Sequence, residues 1–353
     1  MEKDDNTTKC NIFLISTPLQ FILATMIARQ VEGRVRLIVV TDFDKSLAQI
    51  ERCGQLLSAP HYEVIGSPIG FTSRAQMFIR AISGYRAILR IRSQVRTGDT
   101  VFIGFPYYVL NRPFFSRRSA VRFERVFFDD GTATINFLSD RKEGERMIVF
   151  KKAPIFFFTL FYPSKIRLDK LTYYTIYPGV SGGALDNVVH VKPRLPIVVQ
   201  KRKRVNEVWF IGSPLVATGL IAKEKMVKLM MDLRCVVEAM GAKLVYFPHR
   251  TERGVDYIKG IELREPDLPF ELYYWSAAMT PVLVTSVLSS AILNLKILFN
   301  KDINLMLIDA DQMEQNKKII QLWTYAQTVL EIPLVTASSL LDGINMLDGE
   351  MLS

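Results

Sequence analysis

The sequence predicts an α/β chain made of two doubly wound halves, and three observations carry that reading. Short apolar strands alternate with helical stretches along most of the chain, which is the pattern of a parallel sheet covered on both faces. With 353 residues the chain suits about two domains, on a prior of roughly 150 residues each. A segment without periodicity, His190 to Arg204, carries two prolines and the basic run Lys201-Arg202-Lys203-Arg204, and it separates two such alternations. We therefore place one domain at residues 1–190, a linker at 191–204 and a second domain at 205–353.

The first half opens with an apolar strand, Cys10 to Ile15, followed by Ser16-Thr17-Pro18-Leu19-Gln20. Thr17 suits an N-cap, Pro18 a first helical turn, and Gln20 the third position of a capping box. The helix they start is expected to run to about Arg29, ahead of a strand at Val35 to Val40. Helical stretches near residues 45–58 and 74–95 and strands at Thr100 to Ile103 and Arg125 to Phe128 continue the pattern. The second half begins with strand Val205 to Ile211, a turn at Gly212-Ser213-Pro214 and a helix from about Leu220 to Met240, which Gly241 ends. Strand Lys243 to Phe247, a helix near Phe270 to Ala278, strand Val282 to Thr285, helix Ser289 to Lys296, strand Asn304 to Ile308 and a final long helix complete it. In such sheets ligands sit beyond the carboxyl ends of the strands. A cleft between the halves is the simplest arrangement.

Composition narrows the function classes. Hydrophobic residues make up 49% of the chain, enough for two cores, and no low-complexity tract suggests disorder. Cys10, Cys53 and Cys235 are odd in number, far apart and form no C-x-x-C pair, so neither a disulfide framework nor a zinc site is expected and a reducing cytoplasm fits. Met1 to Lys9 is polar without a signal-peptide layout, and the longest aromatic-apolar run, Ala153 to Tyr162, is too short to span a bilayer. These features predict a soluble, cytoplasmic chain. The net charge of +10 raises nucleic acid as a partner, but the basic residues fall in scattered clusters such as Arg117-Arg118, with no nucleic-acid module beside them. An anionic substrate or membrane explains the charge as well. Ile155-Phe156-Phe157-Phe158, beside Lys151-Lys152 and Lys165-Arg167, is compatible with peripheral contact on an anionic inner membrane. A core segment is the simpler account of the same residues.

Four strand ends carry the candidate chemistry. In Val126-Phe127-Phe128-Asp129-Asp130-Gly131-Thr132 an apolar strand delivers two carboxylates into a turn. Burying them unpaired is costly. The pair suits removal of a proton or the holding of a polyhydroxylated substrate; the plain alternative is an acidic turn capping the next segment. Tyr246-Phe247-Pro248-His249-Arg250 delivers one of only three histidines, the others being His61 and His190. His249 could protonate a phosphate leaving group with help from Arg250, or be a satisfied loop histidine. Thr285-Ser286-Val287-Leu288-Ser289-Ser290-Ala291 opens a helix, where free N–H groups and hydroxyls make an anion site; N-capping by Ser289 is compatible with that use. In Leu268-Pro269-Phe270-Glu271-Leu272, Glu271 complements a helix dipole or accepts from ribose hydroxyls. A rival centre is Asp42-Phe43-Asp44, a D-x-D after the strand Arg36 to Val40 that would suit a metal-dependent nucleotide-sugar transferase, although such tripeptides often arise by chance. A non-enzymatic basic protein binding membrane or glycan is the remaining class.

The order of Asp129-Asp130-Gly131, Pro248-His249, Pro269-Phe270-Glu271 and Ser289-Ser290 resembles that of the bacterial sialyltransferases. That group includes the lipooligosaccharide sialyltransferases of glycosyltransferase family 52 and the capsular polysialyltransferases. They share an acidic pair plus glycine, a His-Pro motif and a serine pair. Thr17-Pro18-Leu19-Gln20 also looks like the first strand-helix turn of the lipooligosaccharide group. The resemblance spans most of the chain, through short motifs. It implies the GT-B fold, two Rossmann-like domains facing a central cleft. It further implies a CMP-activated sialic acid or related nonulosonic acid as donor, a bacterial surface glycan or glycolipid as acceptor, inversion at the anomeric centre, and no metal or other cofactor. Asp129 matches the catalytic base with Asp130 in support, and His249 matches the histidine that assists departure of CMP. Glu271 matches a residue near the cytidine ribose, and Ser289 and Ser290 match the phosphate-binding pair. Gly131, Arg250 and Ser286 are grouped with these on the donor side, while Thr17 and Gln20 are placed at the acceptor or cleft. Here Pro248 precedes the histidine and Arg250 follows it, where the usual motif has proline after. That departure leaves the orientation of His249 open and is consistent with a branch using a related nine-carbon sugar.

Overall fold

The computed structural model describes residues 9–40, 44–65, 85–104, 109–115, 121–144, 147–149, 165–193, 202–249, 252, 255, 258–299, 303–310 and 316–340. The chain divides into two compact units, Met1–Pro196 and Ile197–Ser353. The first strand of the second unit begins at Lys203.

The first unit is a seven-stranded sheet ordered β3-β2-β1-β4-β5-β8-β9. Its strands are β1 (Cys10–Ile15), β2 (Arg34–Val39), β3 (Tyr62–Val64), β4 (Thr100–Ile103), β5 (Glu124–Phe128), β8 (Thr172–Thr175) and β9 (Asn187–His190). All neighbours pair in parallel. A separate antiparallel pair, β6 (Met147–Val149) and β7 (Lys165–Arg167), lies between β5 and β8 in sequence. Central strands such as β1 and β4 are apolar on both faces because helices cover both sides. Phe13 of β1 stacks on Phe102 of β4 at 4.2 Å between centroids, and Phe127 and Phe128 extend that core along β5. Each such fully buried side chain contributes about 1.5–3 kcal/mol.

Helices Pro18–Ala28, Asp44–Leu56, 85–94 and Ala133–Lys142 follow the strands. Thr17 caps the first, accepting from the Gln20 N–H at 3.2 Å. The capping box is modified: the Gln20 side chain accepts from Ser16 N–H at 2.7 Å, one residue earlier than the usual partner. Farther along, Arg141 and Asp186 form a buried two-pronged ion pair at 2.7 and 2.6 Å. The Arg141 guanidinium also donates to Leu168 O, and Asp186 accepts from the Leu171 and Gly183 amides, so both charges are well partnered.

The second unit repeats the scheme with six parallel strands ordered β12-β11-β10-β13-β14-β15. These are β10 (Lys203–Ile211), β11 (Lys243–Phe247), β12 (Glu262–Leu263), β13 (Met279–Ser286), β14 (Leu305–Ile308) and β15 (Leu334–Val335). Helices Lys223–Ala239, Phe270–Ser276, Ser290–Phe299 and Lys317–Thr328 pack on them. Gly241 ends the first of these as expected. At φ +69° it adopts the left-handed conformation, and the Gly241 and Ala242 amides return to Glu238 O and Val237 O in a Schellman motif. Trp209, fully buried on β10, centres an aromatic core with Phe247, Phe270, Tyr273 and Tyr274.

In each unit the strand order reverses beside the first strand, between β1 and β4 and between β10 and β13. This is the switch point at which doubly wound sheets open a crevice at their carboxyl ends. Two Rossmann-like units in tandem give the chain the two domains of the GT-B fold. No helix of the described residues is long and apolar enough to cross a membrane. The apolar patch 155–158 and the Arg117-Arg118 cluster lie outside the described residues.

Candidate active site

In the first unit the apolar end of β5 delivers Asp129 just past the sheet. Its side chain is 2% exposed, and its Oδ2 accepts from the Ile176 amide at 2.7 Å, one residue beyond β8. Its Oδ1 is buried and makes no hydrogen bond among the described residues. Burial pushes the Asp129 pKa up to about 7; the Ile176 amide and the Thr175 and Thr134 hydroxyls pull it down, and Asp130 adds a smaller push upward. Desolvation, more than the neighbouring Asp130 charge, is the dominant cause.

Asp130 is half-buried, and its Oδ1 lies 3.4 Å from the Thr17 hydroxyl, so two expected site residues meet here. The Asp130 amide donates to Thr134 Oγ1, which pairs at 2.9 Å with the Tyr173 hydroxyl, itself donating to Phe128 O. Gly131, at φ +68°, makes the left-handed step into the Ala133–Lys142 helix. It forms part of the acidic turn at the carboxyl end of β5. Thr132 occupies the N-cap without a side-chain cap bond, and the Asp129 carboxylate reaches across to β8 instead of to the helix. Gln20, 2% exposed, fills the switch point, where a Cβ on Gly104 would collide with its amide. It therefore packs against the end of β4.

In the second unit the loops after β10 and β13 are stitched together. Ser286 Oγ donates to Ile211 O at 2.7 Å, and Ser213 Oγ donates to Leu288 O. Ser286 is fully buried, and this bond braces the ends of β10 and β13. Behind the loop, Trp323 Nε1 donates to Val287 O at 3.0 Å. Ser289 accepts from the Ala291 amide at 3.3 Å, the N-cap role foreseen for it. A hydroxyl that accepts in this way can still donate to an anion. Ser290 is half-buried at the first helical position.

Glu271 is 5% exposed, and its Oε1 accepts from Asn294 Nδ2 at 2.7 Å, tying helix Phe270–Ser276 to helix Ser290–Phe299. The bond supports the serine-bearing helix from beneath. His249 is half-buried two residues beyond β11, while Arg250 lies outside the described residues. The His249 amide donates to Glu252 Oε2 at 3.0 Å, and Glu252 also accepts from the Tyr246 hydroxyl at 2.9 and 3.1 Å. Glu252 went unnoticed in the sequence, although a carboxylate three residues after a strand-end histidine could have flagged a closed turn.

His61 and His190 are exposed. Asp42 and Phe43 lie outside the described residues, and Asp44 begins helix Asp44–Leu56. Among the described residues no group of three or more His, Cys, Asp or Glu side chains could hold a metal ion.

No protein-family model matches the chain, and no curated protein sequence matches it. Solved structures do. The calicheamicin glycosyltransferase CalG4 is 11% identical over 97% of this chain and 90% of its own, with a TM-score of 0.44. UGT89C1 of Arabidopsis thaliana, solved with UDP-L-rhamnose, is 10% identical over 92% and 84%, with a TM-score of 0.46. UDP-GlcNAc 2-epimerase from Methanocaldococcus jannaschii is 11% identical over 91% and 92%, with a TM-score of 0.39. With TM-scores below 0.5, these likenesses decide nothing about the chemistry of this chain.

Proposed function

We propose that the chain is an inverting glycosyltransferase that moves sialic acid or a related nonulosonic acid from a CMP-activated donor to a bacterial surface glycan, in lipooligosaccharide or capsule. The observation that carries this reading is Asp129: a buried carboxylate with one oxygen held, the other unpartnered among the described residues, and a pKa of about 7. A general base works best with a pKa near the operating pH. An acceptor hydroxyl reaching Oδ1 would supply the hydrogen bond that oxygen lacks. The motif order of the sequence supports the choice of donor.

In this mechanism Asp129 takes the proton of the acceptor hydroxyl as its oxygen bonds to the anomeric carbon. The bond from that carbon to the CMP phosphate oxygen breaks, and CMP departs with the electron pair. Charge then develops on the phosphate, where Ser289, Ser290 and the start of their helix offer hydrogen bonds and His249 can donate a proton. Because the leaving group is stabilised by hydrogen bonds, the scheme calls for no divalent cation. The net charge of +10 suits work beside an anionic inner-membrane surface. The test is CMP release by the purified full chain from a panel of CMP-activated nonulosonic acids. Release from at least one is expected; absence of binding and turnover with all of them, alongside use of a UDP- or GDP-sugar, would refute the assignment.

A further inference from the structure

We propose that Glu252 is the positioning residue for His249, and that residue 212 must be glycine to make room for the Glu252 carboxylate. The inference rests on reading His249 as the group that assists the leaving phosphate. Glu252 closes the turn after β11 from both sides. Its carboxylate accepts from the His249 amide at 3.0 Å, while its own amide donates to His249 O at 2.8 Å. The same carboxylate is anchored to the sheet by the Tyr246 hydroxyl, whose ring is fully buried on β11 and stacked on Phe210 of β10. Charge-assisted bonds of this kind are shorter and stronger than neutral ones, so the backbone at His249 is fixed to a rigid strand.

Gly212 supplies the space. It directly follows β10, and a Cβ built there would lie 2.6 Å from both Glu252 Oε2 and the Tyr246 hydroxyl. Gly212 is not among the glycines with positive φ, so the requirement is for volume and not for backbone conformation. Its amide donates to Phe247 O at 2.8 Å, which holds that missing side chain against the phenol and the carboxylate. Four residues from two places in the sequence, Gly212 and the group Tyr246, His249 and Glu252, thus form one device at the carboxyl ends of β10 and β11. An added methyl at 212 must displace the carboxylate or the phenol, and either movement releases the turn.

The experiment compares full-length Glu252→Ala, Glu252→Gln and Gly212→Ala with the wild type. Hydrogen exchange is followed at the His249 amide, and kcat and KM are measured for CMP release. Glu252→Ala and Gly212→Ala are expected to raise exchange at His249 at least tenfold and to lower kcat about tenfold or more, with donor KM within about threefold of wild type. Glu252→Gln should recover most of both, because its amide oxygen can still accept from the His249 N–H. Unchanged protection of His249 in Glu252→Ala, or a Gln variant no better than the Ala variant, would overturn the proposal. Should Gly212→Ala fail to fold, the contrast between the two Glu252 variants decides. A wild-type chain that releases no CMP would sink the transferase reading, while the exchange measurement would still judge the hold of Glu252 on His249.

Discussion

Replacing Asp129 by asparagine should stabilise the protein at neutral pH while disabling it. An acid whose folded pKa lies above its unfolded one binds its proton more tightly in the folded state. The resulting destabilisation is absent below the unfolded pKa, grows as pH rises, and is complete above the folded pKa. For Asp129 those limits are 3.8 and about 7, a window of about 3 units, and at 1.36 kcal/mol each the full effect is about 4 kcal/mol. Asparagine imitates the protonated carboxyl and escapes this effect. The Asp129→Asn variant should therefore exceed the wild type by on the order of 1–2 kcal/mol at pH 5 and about 4 kcal/mol at pH 8. For a unit of this size that is on the order of 10 °C in melting temperature at pH 8. Scanning calorimetry at the two pH values measures it. All three tryptophans, Trp209, Trp275 and Trp323, belong to the second unit, so fluorescence assigns that unit's transition and leaves the other to the acidic turn. CMP release by the same variant should fall by about 10²–10⁴-fold. A variant less stable than wild type by an amount independent of pH would refute the reasoning, since the carboxylate would then be a latch between β5 and β8.

Asp130→Asn should fold normally and lose less turnover than Asp129→Asn; the reverse order in a CMP-release assay would show that the base is the other carboxylate. Replacing Ser289 and Ser290 together with alanine should weaken CMP binding by roughly 1.5–3 kcal/mol for each lost bond to the phosphate. Unchanged affinity in a calorimetric titration would leave those serines as helix caps. Asp186→Asn should destabilise the first unit by about 3–5 kcal/mol, because it strands the buried Arg141 guanidinium. Urea unfolding checks this, and a loss under about 1 kcal/mol would mean that the pair is solvated in solution.

The strands that could be read from the sequence are those with a continuous apolar run, such as Ile12–Ile15 of β1, Val101–Ile103 of β4 and Leu244–Phe247 of β11, where both faces are buried. β8 was illegible because Thr172-Tyr173-Tyr174-Thr175 carries a hydroxyl at every position, and it becomes a strand through Tyr173 packing on Phe127. β12 and β15 have two residues each, too few for a period to show. At the candidate site, strand ends located Asp129, His249 and the serine pair, since charge or hydroxyls directly after an apolar run stand out. Local pattern could not say which polar groups are used up inside the fold. The partners of Ser286, Glu271 and Gln20 are Ile211, Asn294 and Ser16, and the first two depend on tertiary packing.

The two hydroxyl-to-carbonyl links between the 211–213 and 286–288 segments constrain the length of the later segment more than its composition. Ser286 reaches back to Ile211 and Leu288 receives Ser213, so inserting or deleting one residue between them would put both links out of step at once. Substitutions that keep a hydroxyl leave the spacing intact. Among chains sharing this fold and this site, the connection should thus vary in its side chains while admitting no insertions, and loop growth should be diverted to the connections that carry no such links.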